Sequence, residues 1–214
     1  MFDGCSALTS LDLSNFNTSE VTTMEKMFNA CYGLVQLDLH SFDTSKVTNM
    51  NEMFKDCTHL VNLDIRSFNT SNVTNMSGMF SCCFQLVHVD TFNFNTENVE
   101  DMSFLFSECE SLTFLDLSSF VIRGGCSTYY MLKRCKSLIT VLPPIFRDGH
   151  AGDGVADEDH CLFWKNINKL VHPIEEDEED NAFWGVNNNN NDGWIGGHVS
   201  APEDDDDDSQ EEEE

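Results

Sequence analysis

Residues 27–52 read MFNACYGLVQLDLHSFDTSKVTNMNE, and residues 53–78 read MFKDCTHLVNLDIRSFNTSNVTNMSG. The two lines superpose without a gap, so the chain repeats itself at a fixed step of 26. Working outward, Cys5, Cys31, Cys57, Cys83, Cys109 and Cys135 keep that step without a slip. Phe2, Phe28, Phe54, Phe80 and Phe106 precede the first five cysteines by three places, and Leu132 precedes the sixth. Leu8, Leu34, Leu60, Leu86, Leu112 and Leu138 follow by three. Phe16, Phe42, Phe68, Phe94, Phe120 and Phe146 close the set. A fixed period in this range is the signature of stacked supersecondary units that bury their apolar faces against one another.

Within one unit, Val35 to His40 alternates apolar and polar side chains, the period of a half-buried strand. Leu37 and Leu39 point inward; Gln36, Asp38 and His40 point outward. Ser41-Phe42-Asp43-Thr44-Ser45 is rich in turn and cap formers. Val47, Met50, Met53-Phe54 and Cys57 then fall three or four apart, which predicts a short helix with one buried stripe. Strand, turn and helix within a single repeat fit the leucine-rich-repeat plan. The expected fold is α/β: a solenoid of about five to six coils over residues 1–146. Parallel strands would line its concave face and short helices its convex face. In the sixth coil Pro143-Pro144 is expected to replace the strand's end and stop the array near residue 146.

The unit running from Phe54 to Met79 resembles the BspA-like leucine-rich-repeat surface proteins, which include repeat lipoproteins of mycoplasmas. The resemblance covers residues 1–146. It implies a non-enzymatic surface or secreted protein that adheres to host proteins, matrix or other cells. Against that implication, the stretch from Met1 to Leu13 shows neither the basic n-region nor the apolar h-region of a signal peptide. Met1-Phe2 align with Met27-Phe28, so the chain begins inside a repeat, the expectation for a fragment.

The net charge of −27 is uneven. Residues 1–146 carry 16 acidic and 8 basic side chains; residues 147–214 carry 22 and 3. Nucleic acid is not expected as a partner, because clustered Lys and Arg to neutralise phosphates are lacking. No stretch is apolar for long enough to span a bilayer as a helix. Residues 147–214 are expected to be an acidic low-complexity tail, with a short docking helix near residues 160–171. In it His150, His160, Cys161 and His172 match no metal-ligand spacing, and no cofactor is expected.

The outward strand positions form the candidate binding face. Asp12, Asp38, Asp64, Asp90 and Asp116 make a column of like charges about 5 Å apart. Either each carboxylate bonds its own coil's turn, or the column is an acidic stripe for a basic protein ligand or Ca²⁺. Beside it the residues vary: Ser10, Gln36, Asn62, His88 and Phe114 on one side, Ser14, His40, Arg66, Phe92 and Ser118 on the other. A constant core with varied outward side chains suits recognition. Phe92 and Phe114 are candidate anchors, although Phe92 could be repacked inward. The cysteine ladder is expected to be structural, as buried thiols rather than disulfides, because neighbouring helices would hold cysteines too far apart to bridge. Cys82, Cys126 and Cys161 lie off the ladder. Sequons at Asn17, Asn69, Asn72 and Asn75 follow from the repeat's own wording.

No phosphate loop, HExxH or GxSxG pattern occurs. The favoured reading is therefore a non-catalytic module that recognises a protein, basic or on a host surface, through its sheet face. The alternative is an intracellular acidic scaffold or regulator whose tail binds basic partners.

Overall fold

The computed structural model describes residues 1–147. The tail, its proposed docking segment and the histidines and cysteine beyond residue 147 lie outside the described residues. Among those described, six short strands occur: β1 (Gln36–Asp38), β2 (Asn62–Asp64), β3 (Phe114–Asp116), β4 (Val121–Arg123), β5 (Thr140–Leu142) and β6 (Ile145–Arg147). They pair in parallel as β1–β2, β3–β5 and β4–β6. In the first two pairs the partners sit one full repeat apart, Leu37 opposite Leu63 and Leu115 opposite Val141. The alternation read in the sequence is visible in β1, where Leu37 is buried between exposed Gln36 and Asp38.

The core is a set of columns running from unit to unit. Phe28, Phe54, Phe80 and Phe106 are fully buried, and their rings stack with Phe2 at centroid separations of 5.3 to 5.7 Å, nearly parallel. Met50, Met76 and Met102 and Leu34, Leu60, Leu86 and Leu112 are equally buried. The first unit has no neighbour on one side among the described residues, which leaves Phe16 37% exposed.

The expected convex helices are absent: no α-helix occurs among the described residues. Where the apolar stripe predicted one, the main chain alternates between two kinds of bond. Met27 and Cys31 N–H donate to the carbonyls three residues back, Met24 and Phe28. Met24, Lys26, Phe28 and Ala30 N–H instead donate across to Asn49, Asn51, Met53 and Lys55 of the next unit, at 2.8 to 2.9 Å. The same alternation recurs from Met50, Met76 and Met102. It comes with left-handed residues spaced four apart, and two columns of them run through the molecule. One is Lys26, Glu52, Gly78, Phe104 and Tyr130; the other is Gly4, Ala30, Asp56, Cys82, Glu108 and Arg134. An α-helix cannot contain a positive φ at that spacing. Each non-glycine member costs about 1–2 kcal/mol, offset by the bonds between units. Spacings of three and four therefore mark a stacked turn ladder here, not a helix.

Threonine columns form the third set of links. Thr44 is buried; its hydroxyl donates to the Asn69 carbonyl at 3.0 Å and accepts the Asn69 N–H at 2.7 Å. Thr18 does the same with Asp43, Thr70 with Asn95, and Thr96 with Val121. One side chain thus satisfies both polar groups of a residue in the next unit.

The sixth unit ends differently from the expectation. Pro143-Pro144 does not end pairing but separates β5 from β6, and β6 pairs with β4 at a step shorter than the repeat, Ile122 opposite Phe146. Phe146 thus leaves the column to which its spacing from Phe120 assigned it.

Candidate ligand-binding face

Each outward Asp is held by its own turn. Oδ1 of Asp12, Asp38, Asp64, Asp90 and Asp116 accepts the N–H two residues on, from Ser14, His40, Arg66, Phe92 and Ser118, at 2.8 to 3.3 Å. This is the local side-chain turn that Asp favours. Similar turns form the other corners, Asp43 to Ser45 and Asn49 to Asn51 in the second unit, Asn69 to Ser71 and Asn75 to Ser77 in the third. Three such corners in each of the second, third and fourth units explain why the repeat spells Asp and Asn where it does. They also place the sequon residues Asn69 and Asn75 in corner bonds.

The register sets Asp38 directly opposite Asp64. The repulsion is answered from the varied column beside them. His40 Nδ1 lies 2.7 Å from Asp38 Oδ1, and Arg66 grips Asp64 with Nε at 3.0 Å and Nη2 at 2.7 Å. The bidentate Arg66 fork, then the Arg66 N–H, push Asp64 down to about 2. Backbone bonds from Ser14 and His40 likewise lower Asp12 and Asp38.

A groove of about 680 Å³ lies over this face, lined by Gln36, Asp38, His40, Asn62, Asp64, Arg66, His88 and Asp90 together with first-unit residues. Eight of the residues singled out from sequence therefore meet in one depression. Phe92, Phe114 and Asp116 lie beyond its lining. Phe92 is 61% exposed and not repacked inward, and Phe114 is 37% exposed. In the fourth unit the strand is missing: among the described residues no main-chain bond ties 87–90 to the neighbouring units. Thr91 is buried at the place held by Leu13, Leu39, Ile65 and Leu117 in other units, and its hydroxyl donates to the Asp116 carbonyl at 2.7 Å. Among the described residues no three His, Cys, Asp or Glu side chains come close enough together to hold a metal ion. No helix there is long and apolar enough to cross a membrane.

The cysteines lie away from this face. All eight within the described residues are unbridged, and Cys31, Cys57, Cys83, Cys109 and Cys135 are buried. Cys5, in the first unit, is exposed, contrary to the ladder's expectation. The reason for the absence of bridges also differs from the one expected, since no helices hold the units apart. Each of the five buried thiols instead donates to a Phe carbonyl of the preceding unit, as Cys57 to Phe28 and Cys83 to Phe54 at 3.2 Å. Those carbonyls also accept the cysteine N–H of their own unit. The thiols therefore point the same way along the stack, whereas a disulfide needs converging bonds. Burial pushes Cys57 and Cys135 up to about 12. The reading from sequence missed the threonine column and the left-handed columns. The threonines were visible as an unvarying Thr three places before Val21, Val47, Val73 and Val99.

A family model described as Mycoplasma protein of unknown function, DUF285, matches residues 1–120 and, in a second placement, 59–142. Searches of curated proteins and of solved structures each returned no match.

Proposed function

The chain belongs to the Mycoplasma family of proteins of unknown function DUF285, and on that premise we propose that it is a non-catalytic recognition protein of the BspA-like surface kind. Residues 1–146 form its leucine-rich-repeat-type solenoid, and the sheet face takes a protein ligand of basic character. The observation that carries this reading is the groove itself, where Gln36, His40, Asn62, Arg66 and His88 vary between units at equivalent outward positions. Five carboxylates line the column and two of them have a His or Arg partner there, which leaves the face acidic. Phe92 and Phe114 supply apolar anchors at one end.

Immobilised peptides graded in net charge, probed with the full chain, test the proposal. Binding should favour Lys- and Arg-rich peptides. The double change Asp90→Asn with Phe92→Ala should weaken it about tenfold, the effect of losing ~1.4 kcal/mol at an anchor. Lys46→Ala, which only breaks the exposed pair with Glu20 at another corner, should leave it unchanged. Binding indifferent to the double change would place the ligand elsewhere, on the acidic tail first of all.

A further inference from the structure

The last described unit is unlike the others in charge and in exposure. Its described residues, 131–147, contain Lys133, Arg134, Lys136 and Arg147 and not one Asp or Glu. Their carboxylate partners among the described residues come from earlier units. Arg123 and Arg147 share Glu97, while Lys136 takes Glu110 and Arg134 takes Glu108. The same unit exposes apolar side chains: Ile139 is 70%, Ile145 47% and Leu142 39% exposed. Leu142 stands where the sheet face elsewhere carries its Asp, opposite Asp116. Strands β5 and β6 each have one hydrogen-bonded neighbour among the described residues, which leaves one edge of each unpaired there. Stacked repeats need a polar cap at their ends, and open apolar edges invite pairing.

We propose that the chain's own segment 157–180 docks on this sixth unit and caps it. The sequence of that segment complements the surface. Leu162, Phe163, Trp164, Ile167, Leu170 and Val171 supply apolar groups for Ile139, Leu142 and Ile145. Acidic runs at 157–159 and 175–180 flank them and answer the surplus of Arg and Lys. Residue 157 follows Arg147 by ten steps, a reach of about 33–36 Å when extended. So short a tether puts the segment at an effective concentration in the mM range, far above that of a second molecule. The opposite end of the stack does not compete, because Asp3, Asp12 and Glu20 make the first unit acidic.

All three tryptophans, Trp164, Trp184 and Trp194, lie beyond residue 147, which gives a direct readout. In the full chain carrying Trp184→Phe and Trp194→Phe, Trp164 fluorescence should be blue-shifted and severalfold less quenched by acrylamide than in urea. Ile139→Asp, at a largely exposed site, should return both signals to their urea values without changing the circular dichroism of the repeats. Lys136→Glu should do so in part, and high salt should act in the same direction. Trp164 signals equal to those in urea would overturn the proposal. Protection of Trp164 that survives both substitutions would overturn it too, as would protection that appears only as protein concentration rises, the mark of a second copy.

Discussion

Asp64 and Arg66 form an ion pair that closes a turn on the face proposed for recognition. Asp64 Oδ1 closes its own turn, and both carboxylate oxygens hold the guanidinium. The carboxyl is held near 2, below its ordinary value of 3.8, so the folded state favours the ionised form. The stabilisation is fully present above the ordinary value and is lost as the pH falls from about 4 towards 2. Asp64→Asn keeps the turn acceptor and removes the charge. The variant should unfold at slightly lower urea than the parent at pH 7, and the gap should close between pH 4 and 2. A gap that persists at pH 2 would deny the ion pair a role. At this scale the sequence was informative about which residues face outward, because the alternation around Leu37 and Leu63 leaves no choice. It left open what each Asp does, since a turn bond and an acidic stripe require the same residue. The structure has the turn bond at all five positions.

Among the elements, the turn ladder was the part least legible in the sequence. Apolar residues at 47, 50, 53, 54 and 57 satisfy a helix, and they equally satisfy a chain whose left-handed residues lie four apart. What decides is where the N–H groups go, and bonds from one unit to the next leave no local trace. Lys26, Glu52 and Asp56 at positive φ are not the glycines that would have betrayed the conformation. The threonine bridge belongs to the same class of non-local bond. Thr70→Val keeps the shape of the buried side chain but strips the Asn95 N–H and carbonyl of their partner. Each group left unpaired costs about 1–3 kcal/mol, so the variant should lose at least that much in urea unfolding. Thr70→Ser, which keeps the hydroxyl, should lose distinctly less; equal losses would assign the effect to packing instead.

Across the whole molecule, the period legible in the sequence governs all but the last turn of the stack, where a shorter step brings β6 against β4. The period does not reveal that the sheet is interrupted in the fourth unit. Hydrogen exchange should therefore be uneven along one face. Amides of residues 88–90 should exchange much faster than those at the same places in β2, because no main-chain bond among the described residues protects them. Uniform protection along the face would contradict the interruption. The turn ladder has a consequence for shape. A repeat array bends into a horseshoe when helices force its outer side to advance about 8–10 Å per unit while strands advance about 4.8 Å on the inner side. Here hydrogen bonds join successive units on the turn side as closely as strands do, Met24 to Asn49 and Met50 to Asn75 at 2.9 Å. Where strands pair, as in β1–β2, both sides take similar steps, an arrangement that gives little curvature. A sheet face built in this way runs as a straight rail, so a ligand of the proposed kind would lie extended along it, and adding units would lengthen the rail without closing it around a partner.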